Sequence, residues 1–548
     1  MKTMRKYILA ALATALFVIP VSAQTDGFRT GKWVEIHNAL LKELNRSYVD
    51  TLPLDRMENA AVRAMLETLD PYTVYVPEEE REDMDMVLNK VYGGIGALIY
   101  KPDLDGNVII NEPYENSPAA LAGLRPGDEI VSIDGVSTHG LTSAEASERM
   151  RGEPGTTAVF RVKRIHDGAS WKAGDEMTLK IVRRRIHLPD VEYAGILDDG
   201  ETGYLLLSGF TEGAGDAVRT AFLKLKEQGM SKFVLDLRGN GGGRIGEAIK
   251  IVSIFVPRGS LVVSSKGKSA SADYQYKTTQ APCDLEMPVV VLVDGGSASA
   301  SEIVSGALQD YDRATIIGTR TYGKGLVQSI RSLPYDGQLK VTVAKYYTPS
   351  GRCVQAIDYA KRGEDGSVSP IPDSLTHAFK TAHGRTVRDG GGITPDHTVT
   401  MKRYSRLTYS LVLNGIVDRY ALKYASEHAS IPALKDFRFT DYDDFVAFAK
   451  EQEFDYRSGA MTLFDQLKSE LKEDGLEEAM SAQVAALGEA LQMDKETFLR
   501  LKREEIIPFI EEEIAVRYYF QRGGILVNLR YDTQLQEALT LPLIDVEK

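Results

Sequence analysis

Cysteine is almost missing from this chain: Cys283 and Cys353 are the only two in 548 residues, far apart and in unlike contexts. Two thiols build no disulfide framework, so the fold must rest on apolar cores, and free, packed thiols are expected. Histidine is sparse too. The eight histidines show no HExxH or similar ligand spacing, which excludes the common zinc patterns, and neither a metal nor another cofactor is expected. An excess of positive charge is also absent. With 78 acidic and 65 basic residues the formal net charge is −13, which argues against nucleic acid as the main partner and against adhesion to anionic lipid. Beyond the N-terminus no apolar run reaches the ~20 residues that a bilayer-spanning helix needs. Internal repeats and low-complexity linkers are missing, so the length implies three or four distinct globular domains.

What is present begins with an export signal over residues 1–23. Lys2, Arg5 and Lys6 form a basic start, Tyr7 to Val18 an apolar core, and Val21-Ser22-Ala23 the small residues of a cleavage site. Life outside the cytoplasm follows as an expectation, with no stable membrane insertion after cleavage. Residues 24–88 read as helical: Trp33, Ile36, Leu40, Leu41, Leu44 and Tyr48 recur at helix spacing, and Leu69-Asp70-Pro71-Tyr72 supplies a stop. The acids Glu78, Glu79, Glu80, Glu82 and Asp83 read as a solvated face.

The chemistry gathers in Gly296-Ser297-Ala298-Ser299-Ala300-Ser301-Glu302, directly after the apolar strand Val289 to Val293. Small neighbours imply close approach of another chain, as in a strand-to-helix elbow, where amides after the serine point into the site and can hold an oxyanion. The same residues also suit a plain helix cap, and spacing alone separates neither these readings nor Ser297, Ser299 and Ser301. Downstream, Lys324 stands in Tyr322-Gly323-Lys324-Gly325-Leu326-Val327-Gln328. A serine needs a base to become a nucleophile, and a lysine serves once its surroundings strip its proton. If a strand follows, alternation puts Lys324, Leu326 and Gln328 on one face, where Gln328 can orient the amine.

From 89 to 188 the pattern is short strands and turns. Tyr92-Gly93-Gly94-Ile95-Gly96-Ala97, Ser117-Pro118-Ala119-Ala120, Gly123 to Ile130, Asp134-Gly135 and Met150 to Thr156 form an ordered set that resembles a PDZ domain of secreted bacterial proteases. That resemblance implies that Gly93, Gly94, Ile95, Gly96 and Ala97 offer backbone to a peptide's terminal carboxylate, while the strand after them pairs with the peptide. Residues 189–402 alternate strands and helices, including Gly203 to Leu207, Ala217 to Lys226 and Phe233 to Leu237, which implies a largely parallel sheet. Residues 403–548 are mainly helical and acidic. Tyr409, Leu413, Ile416, Val417 and Tyr420 give one stripe there; Phe464, Leu467 and Leu471 give another, and Lys502-Arg503-Glu504-Glu505 reads as an exposed face.

Taken in order, Leu69-Asp70-Pro71, the PDZ motifs, Leu235 to Gly243, the serine run, Tyr322 to Gln328, Tyr346 to Arg352 and Gly391 to Asp396 resemble the carboxy-terminal processing proteases of the S41 serine peptidases. The resemblance spans about residues 30 to 400. It implies a multidomain α/β plus β architecture: an S41 core of the ClpP/crotonase type, a PDZ domain, and helical N- and C-terminal regions. It implies Ser299 as nucleophile, Lys324 as base and Gln328 as its support, with the amides of Ala300 and Gly242 as the oxyanion hole. Asp310 is expected to be structural, and Asp294, where many members carry asparagine, to bear on loop geometry. The implied partners are polypeptides with free, apolar C-termini, with a homodimer or an adaptor protein left open, and the implied location is the periplasm. The alternative is a PDZ scaffold with a silent peptidase core; an acyl hydrolase acting on non-peptide substrates is a third reading.

Overall fold

The strand Val289–Val293 is buried at every position, and two faces of packing account for that. It lies inside a six-stranded sheet in the order Val191–Ile196, Thr202–Leu207, Lys232–Asp236, Val289–Val293, Thr315–Gly318, His397–Thr398. Only the first pair is antiparallel. Parallel sheets need cover on both faces, which is why these strands read as continuous apolar runs. Leu205, Leu235, Val291 and Val293 face one core, filled by helices Ala214–Glu227, Ile245–Val252 and Ala300–Asp310. Tyr204, Val234, Val290 and Leu292 face the other core, which Leu535 and Ala538 of helix Thr533–Thr540 help to close. The C-terminal region thus supplies cover for the sheet's second face.

The computed structural model describes residues 21–540 apart from 102–105, 165–171, 364, 365, 455, 456 and 493. It divides into two units, Met1–Tyr75 and Val76–Lys548. The export signal lies outside the described residues, save Val21-Ser22-Ala23, which open helix Val21–Ser47. In the first unit this helix is followed by Leu54–Glu67, and the carboxylate of Asp70 accepts from the N–H groups of Tyr72 and Thr73 and from the Thr73 hydroxyl. The N-terminal region is not wholly helical, because the strand Val74–Val76 follows that turn. Among the described residues no helix is long and apolar enough to cross a membrane.

In the second unit, Ala97–Tyr100 is the edge strand of a small antiparallel sheet that continues through Val108–Pro113, Glu129–Ile133, Thr157–Lys163 and Glu176–Val182. Alternate residues of Thr157–Lys163 are buried, as a one-sided sheet requires. Its core includes Ile95, Val108, Ile130 and Phe160. A further antiparallel sheet joins Leu261–Gly267, Tyr274–Lys277, Leu326–Ser332 and Gln338–Tyr347 beside the main core.

Two C-terminal expectations need correction. The stripe from Tyr409 to Tyr420 is two helices, Arg406–Leu413 and Ile416–Glu427, broken at Gly415, whose φ of +62° lies outside helical geometry. Glu505 is not on an exposed face: it is buried and accepts from the Ser405 N–H and, at 2.9 Å, from the Thr408 hydroxyl, anchoring the start of helix Arg406–Leu413. Cys283 and Cys353 are both free thiols.

Candidate active site

After Val293 the chain turns sharply. Ser297 and Ser301 are both fully buried. Ser297 donates its hydroxyl to the Leu237 carbonyl at 2.8 Å, and Ser301 donates to the Asn240 carbonyl at 2.8 Å. Ser299 differs from both. It is half-buried and sits at φ +56°, ψ −110°, a backbone conformation that costs a non-glycine residue ~1–3 kcal/mol and persists only where its surroundings enforce it. Helix Ala300–Asp310 begins immediately after, so the Ala300 N–H has no intrahelical acceptor and lies at the positive end of the helix dipole.

What enforces the turn is Glu302. Its side chain is fully buried, and its two oxygens accept four hydrogen bonds. Oε2 takes the N–H of Ser299 at 2.9 Å and that of Lys324 at 2.8 Å. Oε1 takes the N–H of Gly323 and the hydroxyl of Thr321, both at 2.7 Å. Burial pushes the carboxyl's pKa up; the Thr321 hydroxyl and the amides of Lys324, Ser299 and Gly323 pull it back by hydrogen bonding to the charged form. One carboxylate therefore joins the serine turn to the lysine loop. The sequence reading missed this role. The available signal was the spacing Ser299-x-x-Glu302, a capping-box pattern, although that pattern reports only the local half of the contact.

The lysine loop is held on its other side as well. Gly325 donates its N–H to Gln355 Oε1 at 2.8 Å, the Gly325 carbonyl accepts from Tyr346 N, and the Tyr346 hydroxyl donates to the Ser299 carbonyl at 3.2 Å. Lys324 is half-buried. Gln328 needs a correction, because simple alternation fails: strand Leu326–Ser332 begins after Lys324 and its register shifts between Val327 and Gln328. Such a bulge re-aims the side chain. Gln328 Nε2 donates to the Thr342 hydroxyl at 3.3 Å, and the residue lines a cavity of about 970 Å³.

The glycine run approaches from the neighbouring strand. A Cβ at Gly242, where φ is +98°, would lie 2.6 Å from the Ala298 carbonyl oxygen and 2.8 Å from both Ala300 N and Ser299 Cβ. Only glycine allows this contact. The Gly242 N–H donates to Asn240 Oδ1 at 2.9 Å, so the expected oxyanion donor is held within its own loop, and the Asn240 amide must give way for it to serve an anion. Asp294 Oδ1 accepts from the N–H groups of Gly239, Gly296 and Ser297, joining the glycine run to the serine turn. An asparagine carbonyl could do the same acceptor's work. Asp310 is structural here: it pairs with Arg352 at 2.9 Å, both side chains buried, and accepts from the Ser350 N–H.

In the PDZ-like sheet, a groove of about 340 Å³ runs between the edge strand Ala97–Tyr100 and helix Ser143–Met150. Ile95, Gly96 and Ala97 line it, together with Ser147 and Met150. Gly93 and Gly94 do not. They pair with Arg185 and Arg184 in a separate two-stranded ladder, and the close approach of the Gly152 carbonyl leaves no room for a side chain at Gly93.

Three family models match the chain: Peptidase family S41 over residues 201–360, PDZ domain over 109–164, and Probable PDZ-protease, C-terminal helical domain, over 407–541. A carboxy-terminal-processing protease of Bartonella bacilliformis is 36% identical over 354 residues, covering 63% of this chain and 78% of that protein. A Probable CtpA-like serine protease of Staphylococcus aureus is 32% identical over 351 residues, covering 63% of this chain and 68% of that protein. Among solved structures, the photosystem II D1 C-terminal processing protease is 28% identical over 65% of this chain and 86% of its own, with a TM-score of 0.35. A serine turn, a glycine run packed against it and a PDZ groove agree with the family models and the two sequence relatives, and the chain belongs to the carboxy-terminal processing proteases of peptidase family S41.

Proposed function

We propose that this serine peptidase is an exported enzyme that cuts polypeptides through an acyl-enzyme on Ser299, after capturing their C-termini in the PDZ groove. The observation that carries the catalytic part is the shared oxygen of Glu302, which holds the backbones of Ser299 and Lys324 together while Ser297 and Ser301 spend their hydroxyls on carbonyls. Lys324 in its neutral form takes the Ser299 hydroxyl proton as the oxygen attacks the scissile carbonyl. The C–N bond then breaks, the leaving amine takes that proton, and an ester remains on Ser299. Lys324 next accepts a proton from water, whose oxygen attacks the ester, and returns it to Ser299. The Ala300 amide, with Gly242 once freed from Asn240, offsets the developing oxyanion; one such donor is worth ~3 kcal/mol. Gln328 gives an Nε2 hydrogen to the Thr342 hydroxyl and uses its Oε1 to accept from the Lys324 amine and orient it.

The PDZ groove supports capture of a free C-terminus, because its edge strand offers unpaired backbone beside apolar walls. Export rests on Lys2, Arg5 and Lys6 followed by the apolar stretch and Val21-Ser22-Ala23. Mass spectrometry of digests of one unstructured polypeptide, with its C-terminus free or amidated, tests the capture step. Faster cutting of the free form is expected; equal rates contradict it.

A further inference from the structure

The cavity beside Gln328 has a composition that the reaction outlined above does not require. It opens between helix Ile245–Val252, which follows the glycine run, and the sheet holding Leu326–Ser332 and Gln338–Tyr347. In a chain with more acids than bases, its lining carries Lys250, Lys268, Lys277 and Arg331 and no aspartate or glutamate. Lys250 is already neutralised, by Asp216 at 2.6 Å and Glu247 at 3.2 Å. Lys268, Lys277 and Arg331 are exposed and make no salt bridge among the described residues. Three like charges around one cavity repel one another and favour an anion between them. The remaining walls are amphipathic: Tyr274 and Tyr276 meet edge to face with ring centres 4.6 Å apart, and Val327 and Ile249 add apolar surface. At about 970 Å³ the space stands at the upper end of small-ligand sites, room for a stretch of several residues.

We propose that this cavity is a subsite for acidic side chains: it takes Asp or Glu residues flanking the scissile bond of the substrate and pairs them with Lys268, Lys277 and Arg331. The inference rests on the peptidase reading, since it places substrate along the strand that carries Gln328. The enzyme would then select on two carboxylate sources at two places, the terminal carboxylate at the PDZ groove and side-chain carboxylates at this cavity. The pairs form at a solvated wall, where each contact is modest, so the selection is a summed preference that weakens as salt rises.

The test uses the full chain and two labelled peptides with the same free C-terminus, one carrying two Glu residues near the cut and the other Gln at those positions. Affinity is read by fluorescence anisotropy with Ser299→Ala protein, and turnover by kcat/KM with wild type. We expect the Glu peptide to be favoured about tenfold in both readouts, falling towards about threefold in roughly 1 M salt. In a Lys268→Ala/Lys277→Ala/Arg331→Ala variant the Glu-to-Gln ratio should drop to about one. If that variant loses the wild-type circular dichroism, Arg331→Glu alone should bring the ratio to one or below. Amidating both C-termini should leave the ratio intact while weakening both peptides, which separates the two carboxylate sources. A wild-type ratio near one, or a ratio unmoved by the substitutions, overturns the subsite. A Glu preference in binding with neither peptide cut would overturn the peptidase reading and leave the subsite standing.

Discussion

Ser299 and Lys324 donate their backbone N–H groups to the same oxygen, Oε2 of the buried Glu302, at 2.9 and 2.8 Å. Their separation of 25 positions in sequence therefore says little about their relation in space. A charged acceptor is needed there because four donors converge on one side chain. A glutamine offers only one acceptor oxygen and sets its NH₂ against donors. Glu302→Gln should lower kcat more than about tenfold with a smaller change in KM, and should cost about 1–3 kcal/mol of stability through buried donors left unpaired. Steady-state kinetics and urea unfolding measure the two effects. An unchanged kcat would show that the tie is not needed for catalysis.

Gly242 tests the same site from the opposite side. Its α-carbon packs so closely on the serine turn that a methyl group would meet the Ala298 carbonyl at 2.6 Å and Ser299 Cβ at 2.8 Å. Gly242→Ala is expected to cut kcat/KM by at least about 100-fold, through both the displaced turn and the lost donor, with far-ultraviolet circular dichroism unchanged. Activity within about threefold of wild type would remove Gly242 from the site.

A third prediction concerns how the C-terminal region meets the core. Arg238 bridges Asp236 at the end of its strand and Asp532 just before helix Thr533–Thr540, and its Nη1 also donates to Gln534 Oε1 at 3.0 Å. Asp236 also accepts from the buried Tyr204 hydroxyl at 2.7 Å. Removing the guanidinium leaves two carboxylates facing each other with little water, which typically costs ~3–5 kcal/mol. Arg238→Ala should therefore speed amide hydrogen exchange in residues 533–540 well before the central sheet opens, and adding Asp532→Asn should restore part of the protection. Unchanged exchange in that helix would contradict the bridge.

These contacts show which features the sequence revealed and which it hid. Val289 to Val293 was readable as a buried strand because five consecutive apolar residues fit only a two-faced core. The serine turn was readable from its small residues at a strand end. The choice of Ser299 over its neighbours gains a physical basis only in three dimensions, where Leu237 and Asn240 supply the carbonyls that engage Ser297 and Ser301. The dual reach of Glu302, the bulge that re-aims Gln328, and the bridge from Arg238 to Asp532 all depend on contacts between distant parts of the chain. Periodicity carries no trace of them. Glu505 was misread for a related reason: its run of charges is local, but its partners Ser405 and Thr408 lie about a hundred residues upstream.

Glu112 predicts a pH dependence. It is buried where the PDZ-like sheet meets helix Arg503–Tyr531 and accepts from the Gln521 N–H at 2.8 Å. Burial pushes its pKa up to about 7, against the pull of the Gln521 amide and Arg517 and with a push from Glu513. The folded state thus holds this proton more tightly than the unfolded chain does. The charged side chain weakens the fold in full above about pH 7, and the penalty fades as pH falls to the ordinary carboxyl range near 4.5. Glu112→Gln should stabilise the protein by roughly 1 kcal/mol at pH 8 and by almost nothing at pH 4.5. Urea midpoints at the two pH values decide it; an equal effect at both would exclude the titration.

The central claim is that Ser299, activated by Lys324, forms the acyl-enzyme. Intact-protein mass spectrometry of wild type, Ser299→Ala and Lys324→Ala, quenched in acid during turnover of an unstructured polypeptide with a free apolar C-terminus, tests it most directly. The account predicts a transient adduct with the mass of an N-terminal substrate fragment on wild type, mapped to Ser299. It predicts no adduct and no cleavage with either variant, both keeping the wild-type fold. Cleavage by Ser299→Ala, or an adduct at another residue, would contradict it.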